Sequence, residues 1–521
     1  MNEENGPEPT FEASPRFEKI SVNEEFIQHP IKVVEAVAQV SIAAAFMAFW
    51  FYISIVDTGE EFAYEYSIYI ALTTFSSLVG VTAWISYWRW KRTTIKFGEA
   101  EVTVFRDTLF KKEVRIAYTK IASTNVNRGI INRLTNTSRL MININSSVNA
   151  NSPELTLTFG VDVSDRIRAN LYQKMYKNNN IPADDATTPS IVTITKRDVV
   201  LHGLLSQPTG SAIFGIIMFV FGIYQMIIST GDFASGLIAI ALAFISYVVP
   251  VIAMIFHYFN YKIYRAGDTI YISHGFIRTY NKSFKVSKIN AVRIRSPLIP
   301  RLIKRYMLDA EVVGLASNDD NNGNNIAPLL CPMKDRDTIE KVMSAIVPEF
   351  VYDMEMKNQP KEAAKPIFIR ATLWSLIFAA IAYVFYDTMR HVQVGGWADT
   401  EHVAVAIIMA SAVVVVGLFI NGVMSRRIVQ YGKGEDKITF LMGVVDRKIT
   451  TMSYDKVQMA QVESGLFSRP YGLARCNISL LSSIGSQKIK SGYFDAKELE
   501  EISEEVIARV KDGRYDYRKY L

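Results

Sequence analysis

Cations set among apolar side chains are the chemistry this sequence offers most clearly. They are densest at residues 288–305, KINAVRIRSPLIPRLIKR, which hold Arg293, Arg295, Arg301, Lys304 and Arg305. Lys288 to Arg295 alternates as a strand would, and Ser296-Pro297 then breaks it. A helical turn or two after Pro297 would put Leu298, Ile299, Leu302 and Ile303 on one face. Arg301, Lys304 and Arg305 would lie largely on the other. Beside a membrane such an element could hold anionic headgroups, each base contributing about 1 kcal/mol, or a protein partner. The alternative is a connector whose apolar side covers a sheet and whose arginines bind carboxylates of their own domain. The related segments IINRL (130–134) and LFSRP (466–470) favour it, because they keep an apolar pair with far fewer charges. The charge excess is local all the same. Residues 261–348 carry 14 Lys and Arg against 8 Asp and Glu, an excess equal to the net +6 of the whole chain.

Nothing else in the sequence assembles a catalytic set, and an enzyme is not expected. The six histidines (29, 202, 257, 274, 391 and 402) are scattered and form no metal-ligand spacing with the two cysteines, Cys331 and Cys476. Two cysteines make no disulfide framework and fit a reducing compartment. No glycine-rich phosphate loop occurs, so no nucleotide cofactor is implied. The run NDDNNGNNIAPL (318–329) starts like a calcium loop but has Leu329 where a bidentate glutamate is needed. No nucleic-acid motif accompanies the basic residues, and nucleic acid is not an expected partner.

These residues must be positioned by something, and a repeat supplies it. Lys120, Lys288 and Lys456 are spaced by 168 residues, and so are Arg133, Arg301 and Arg469. Three such periods account for all but the acidic first 17 residues, which read as disordered and not as a cleavable signal peptide. In each copy a period-two stretch, for example TIYISHGFIRTYNKSFKV, reads as strand, turn, strand. Gly275 and Gly443 share the turn position, and Asp107 stands there in the first copy as a residue that tolerates positive φ. Each copy closes with a helical pattern, which predicts several antiparallel strands capped by one helix.

The remainder of each copy is apolar. Uncharged runs at 36–56, 66–88, 209–230, 233–256, 371–386 and 403–424 predict six transmembrane helices in three hairpins. The run at 371–386 is short, and starting it at Ile367 requires Arg370 to reach back toward the headgroups. Cationic flanks such as WRWKR (88–92) and SRR (425–427) put the amino terminus and every large loop in the cytoplasm. No span carries a carboxylate near its middle, Glu35 lying at an end, which weakens proton-coupled transport. The resulting order is tail 1–17, leader and first hairpin 18–92, first domain 93–182, second hairpin 186–258, second domain 261–350, third hairpin 361–425 and third domain 426–513.

A hairpin, a Gly-centred strand pair and then YDKVQMAQVESGLFSRPYGLARCNI (454–478) together resemble the bacterial pleckstrin-homology-like (PH-like) membrane proteins. The likeness is to members with three such domains on six spans and covers residues 18–521. The first two copies have RLTNTSRL and RLIKRYML where the third has Tyr471-Gly472-Leu473, so a differently shaped connector is expected in them. The resemblance implies an α+β membrane protein in which each hairpin precedes a bent antiparallel sheet with a C-terminal helix. It implies no catalytic set. The expected role is a non-enzymatic cytoplasmic platform on the cell membrane, binding inner-leaflet lipid or a protein. The protein partner would be a second copy, a smaller PH-like membrane protein, or another membrane or cytoplasmic protein. The alternative is a transport or envelope-export component whose domains gate a six-helix path.

Overall fold

The computed structural model describes residues 20–513 apart from 22–23, 58–60, 145–152, 177–193, 208, 229–232, 314, 316–326, 353, 392–399 and 483–484. The acidic tail, most of the asparagine-rich run at 318–329 and parts of the connectors between paired spans lie outside the described residues. The chain divides into two compact units, one built mainly from residues 1–145 and 153–188 and the other from 189–277 and 283–521. The first holds nearly all of the first repeat together with Arg278–Lys282 of the second, and the second holds the rest of the second repeat and the third.

The 168-residue period is present in the backbone. Single-turn 3-10 helices stand at Tyr118–Lys120, Val286–Lys288 and Tyr454–Lys456, each ending on one of the repeated lysines. They divide every domain into a small meander before the turn and longer strands after it. In the third repeat the strands Gln430–Lys433, Lys437–Met442 and Arg447–Ser453 pair in order, with Tyr431 opposite Phe440 and Phe440 opposite Thr450. Alternate side chains point inward, so Ile438, Phe440 and Met452 are buried together with Cys476, Ile478 and Leu480 of the later strands. The closing helix Ala496–Lys511 lays Leu499, Ile502 and Val506 on the same core, and Asp495 caps its amino end by accepting from the Lys497 amide. Each fully buried side chain of this kind is worth about 1.5–3 kcal/mol. The first repeat has an equivalent core of Ile95, Phe97, Leu140, Ile142, Ile167 and Leu171.

Two turn positions differ from the sequence expectation. Gly275 and Gly443 do take positive φ (116° and 87°), and a Cβ at Gly443 would collide with the Asp446 carbonyl. Asp107 does not take positive φ; its carboxylate instead lies 3.7 Å from Arg92 and 3.6 Å from Lys111. The connector bearing the repeated arginine is an α-helical turn in the first two copies, Ile130–Leu134 and Leu298–Leu302, and a 3-10 turn, Arg469–Tyr471, in the third, as the missing glycine led one to expect, but all three close the same way. Asn136, Lys304 and Gly472 occupy equivalent positions with φ of 49°, 55° and 65°. Their amides donate to the carbonyls of Arg133, Arg301 and Arg469. At this closing position the missing glycine adds strain.

The second and third repeats share one seven-stranded sheet. Its seam is the antiparallel pairing of Ile289–Ser296, the strand of the basic stretch, with Arg447–Ser453. Val292 lies opposite Thr451, Ile294 opposite Ile449 and Arg295 opposite Lys448. Ala291 of the second repeat is buried within the third repeat's core.

Among the described residues five helices are long and apolar enough to cross a membrane: Ile31–Ser54, Tyr66–Lys91, Phe233–His257, Lys361–Thr388 and Ser411–Ile428. In the sixth expected span the helix runs Thr209–Ile228, and its apolar part, Ala212–Ile227, is shorter than the rest. Ile31–Asp57 packs along Glu61–Lys91, Thr209–Ile228 along Phe233–Ala243, and Ala364–His391 along Thr400–Ile428. The middle pair approaches closely through glycine: a Cβ on Gly222 would lie 2.9 Å from the Gly236 carbonyl, and one on Gly236 equally close to that of Gly222. Further along, Phe244–Val248 widens into a π-helical turn just before Pro250. Proline lacks an amide proton and its ring crowds the carbonyl four residues back, and the wider turn relieves both.

Candidate functional site

The basic stretch is divided between several tasks. Arg293 pairs with Glu311, which is fully buried, and Arg295 Nε lies 3.0 Å from Asp309. With Lys448 across the seam, three cations face two acids on the neighbouring strand. Burial first, and then Arg295 and Arg293, push the Lys448 amine below its ordinary value. Arg301 Nη1 donates across the seam to the Val444 carbonyl at 3.0 Å and the Val445 carbonyl at 3.3 Å. Arg305 approaches Asp335 at 3.9 Å. Lys304 is exposed. Leu302 and Ile303, expected on a covered apolar face, are 76% and 51% exposed, and Pro300 is the buried residue of the turn.

The repeated arginines share a backbone role through their carbonyls but not a side-chain role. Arg133 and Arg469 are exposed, with no side-chain hydrogen bond or ion pair to a described residue. Three of the scattered histidines do meet. The rings of His202 and Tyr258 are 5.0 Å apart, those of His257 and His274 4.7 Å, and Tyr261 stacks on His274 at 6.0 Å. Burial holds His202 neutral, its pKa lowered to about 3. Among the described residues no histidine, cysteine and carboxylate grouping could hold a metal ion.

A pair of arginines that the sequence did not single out for binding lies at the base of the third helix pair. Arg370 projects from Ala364–His391 and Arg475 from the strand Leu473–Ser482, and both line a cavity of about 360 Å³. Trp374, Asn421 and Ser425 supply further polar edges, Ile367 and Leu418 supply apolar wall, and no carboxylate lines it. Arg475 lies over the Tyr493 ring at 3.9 Å, and its Nε is buried without a hydrogen-bond partner. Burial pushes its pKa down; Tyr493 opposes that, and the neighbouring Arg370 adds to it. Two cations that disfavour each other and meet no acid make a place for an anion.

Local packing holds the cavity in shape. Gln359 donates to the Ser425 carbonyl at 3.0 Å and accepts from the Tyr493 amide at 3.0 Å, tying the last membrane helix to the strand beside Arg475. Gly492 has to be small here, because a Cβ would come 2.6 Å from Val429 and 2.9 Å from Gln359. The first repeat shows what such a position takes. Arg139 stands 336 residues before Arg475, and its guanidinium meets Glu35 of the first membrane helix at 2.9 Å, both side chains mostly covered. The second repeat has Met307 at this position. Only repetition could have exposed Arg475 in the sequence, by comparison of 139, 307 and 475.

Three stretches, residues 38–175, 212–346 and 372–510, match the family described as the bacterial PH domain. A Bacillus subtilis (strain 168) protein named UPF0699 transmembrane protein YdbT is 20% identical over an alignment of 333 residues that covers 59% of this chain. The match spans 66% of that relative's length, just under two thirds. No solved structure matches the chain.

Proposed function

The chain belongs to the bacterial PH domain family as a membrane protein with three copies of the domain, and from that premise we propose that it is a non-enzymatic lipid-binding platform. Six spans in three hairpins hold the domains against the cytoplasmic face of the cell membrane. The ligand is the anionic phosphate headgroup of an inner-leaflet lipid, held between Arg370 and Arg475. The observation that carries this reading is the acid-free cavity with two arginines, set against the first repeat, where Glu35 supplies the anion internally. Trp374 suits the same boundary, since its ring prefers the headgroup level. Within the basic stretch, Lys304 flanked by exposed Leu302 and Ile303 supports a second, weaker headgroup contact, and Arg305 can join it. Arg293, Arg295 and Arg301 support it less, being engaged with Glu311, Asp309 and the Val444 carbonyl.

The test is lipid retention. Full-length protein purified in mild detergent should carry anionic phospholipid, read by mass spectrometry, and Arg370→Ala with Arg475→Ala should reduce it roughly tenfold. That corresponds to about 1.4 kcal/mol, at the lower edge of what one charge-assisted hydrogen bond contributes. Retention unchanged by the double substitution would remove the cavity from consideration.

A further inference from the structure

The seam between the second and third repeats has three parts. The strand Ile289–Ser296 pairs with Arg447–Ser453, Arg301 donates to the Val444 and Val445 carbonyls, and Lys456 Nζ donates to the Ser287 carbonyl at 2.7 Å. Because the chain repeats every 168 residues, each half of this seam has counterparts. Those of Ile289–Ser296, Arg301 and Ser287 in the third repeat are Val457–Glu463, Arg469 and Asp455. Those of Arg447–Ser453, Val444, Val445 and Lys456 in the first repeat are Lys112–Ala117, Thr108, Leu109 and Lys120.

Among the described residues both counterpart strands end their sheets, with no strand on the outer side. Both faces also leave apolar side chains uncovered: Leu109 and Phe110 are 83% and 86% exposed, and Leu466 is 83% exposed. At the seam itself Val445, the counterpart of Leu109, is 41% exposed, about half as much as Leu109, and Val444 beside it is 9% exposed. Arg469 and Lys120 are exposed and have no described partner.

We propose that the third repeat of one molecule docks on the first repeat of a second copy, edge to edge, in the register of the seam. That register sets Gln461 opposite Val114, from Arg293 opposite Thr450, and Glu463 opposite Lys112, from Arg295 opposite Lys448. The internal seam places two cations across from each other at the last of these positions, whereas the intermolecular one places opposite charges there. Arg469 then donates to the Thr108 and Leu109 carbonyls, and Lys120 to the Asp455 carbonyl. Unpaired strand edges pair readily, and a second copy supplies the complementary one in every molecule. The contact is head to tail, so it closes into a ring or extends as a row along the membrane.

The experiment is crosslinking between copies in native membranes. One tagged copy carries Gln461→Cys and a differently tagged copy Val114→Cys; Cys331 and Cys476 are buried and serve as background. Copper-catalysed oxidation should give a disulfide-linked species with both tags. A partner copy with Leu109→Cys, more exposed but five residues out of register, should give roughly tenfold less, since one register excludes the others. Adding Arg469→Ala, a change on an exposed side chain, should lower the in-register yield several-fold. Equal yields at both positions, no heterodimer, or a crosslink found only within chains carrying both cysteines would each overturn the proposal.

Discussion

A buried arginine is informative chiefly through its partners. Arg139 has Glu35, Arg295 has Asp309, and Arg475 has only Tyr493 and a second arginine. This difference was not legible in the sequence, where Arg475 is one cation inside a strand and Arg370 a residue at a span's edge. Lys304 is a further case in which side chain and backbone make different demands. Its left-handed φ of 55° costs a residue with a Cβ about 1–2 kcal/mol, and the equivalent Gly472 avoids that cost. Lys304→Gly should therefore raise stability by about 0.5–1 kcal/mol after glycine's greater unfolded-state entropy is deducted. Chemical unfolding of the detergent-solubilised chain would measure it, and a lower midpoint would mean that the lysine side chain stabilises the turn.

At the level of strands and helices, the strand pairs, the closing helices and the repeat itself were legible, because period-two burial and a fixed spacing both leave direct traces in the sequence. The left-handed residue that closes the connector in every copy was not, since Asn136 and Lys304 do not look like Gly472. Nor was the seam, because a strand's composition does not say which other strand lies beside it. Residues 289–296 alternate as an outer strand would, and their arginines fitted either headgroups or carboxylates of their own domain; the structure pairs Arg293 with Glu311 and Arg295 with Asp309. The seam has its own pH dependence through Lys456. Burial, then Lys288, lower the Lys456 pKa to about 8, while Asp455 and Asp268 pull the other way. The unfolded chain thus holds this proton more tightly than the folded one. Stability should rise as pH increases from about 8 toward the ordinary lysine value of 10.5, and fall again on return. Discounted for the water that still reaches the amine, the gain is on the order of 2 kcal/mol. Lys456→Met should be more stable than the parent at pH 7 and show a flatter slope above pH 8 in the same unfolding assay. An unaltered slope would assign the dependence to other groups.

For the whole molecule, the asymmetry of lysine and arginine makes a claim about sides. Single cysteines replacing Ser235 or Gly396 should react with an impermeant maleimide added to intact cells, once Cys331 and Cys476 are replaced. Cysteines at Asn322 or Ser483 should react only after lysis. Labelling of the second pair in intact cells would invert the orientation. The seam also has a consequence in time. About 150 residues separate its two strands in the chain, and the third helix pair lies between them. At about 5–20 residues per second, Ile289–Ser296 leaves the ribosome roughly 8–30 s before the strand that will cover it. Through that interval a new edge stands open beside others of its kind on neighbouring ribosomes. Asp309 and Glu311 follow the strand within about 15 residues and neutralise Arg293 and Arg295 early in that wait, so the open edge carries little charge to hold its own copies apart.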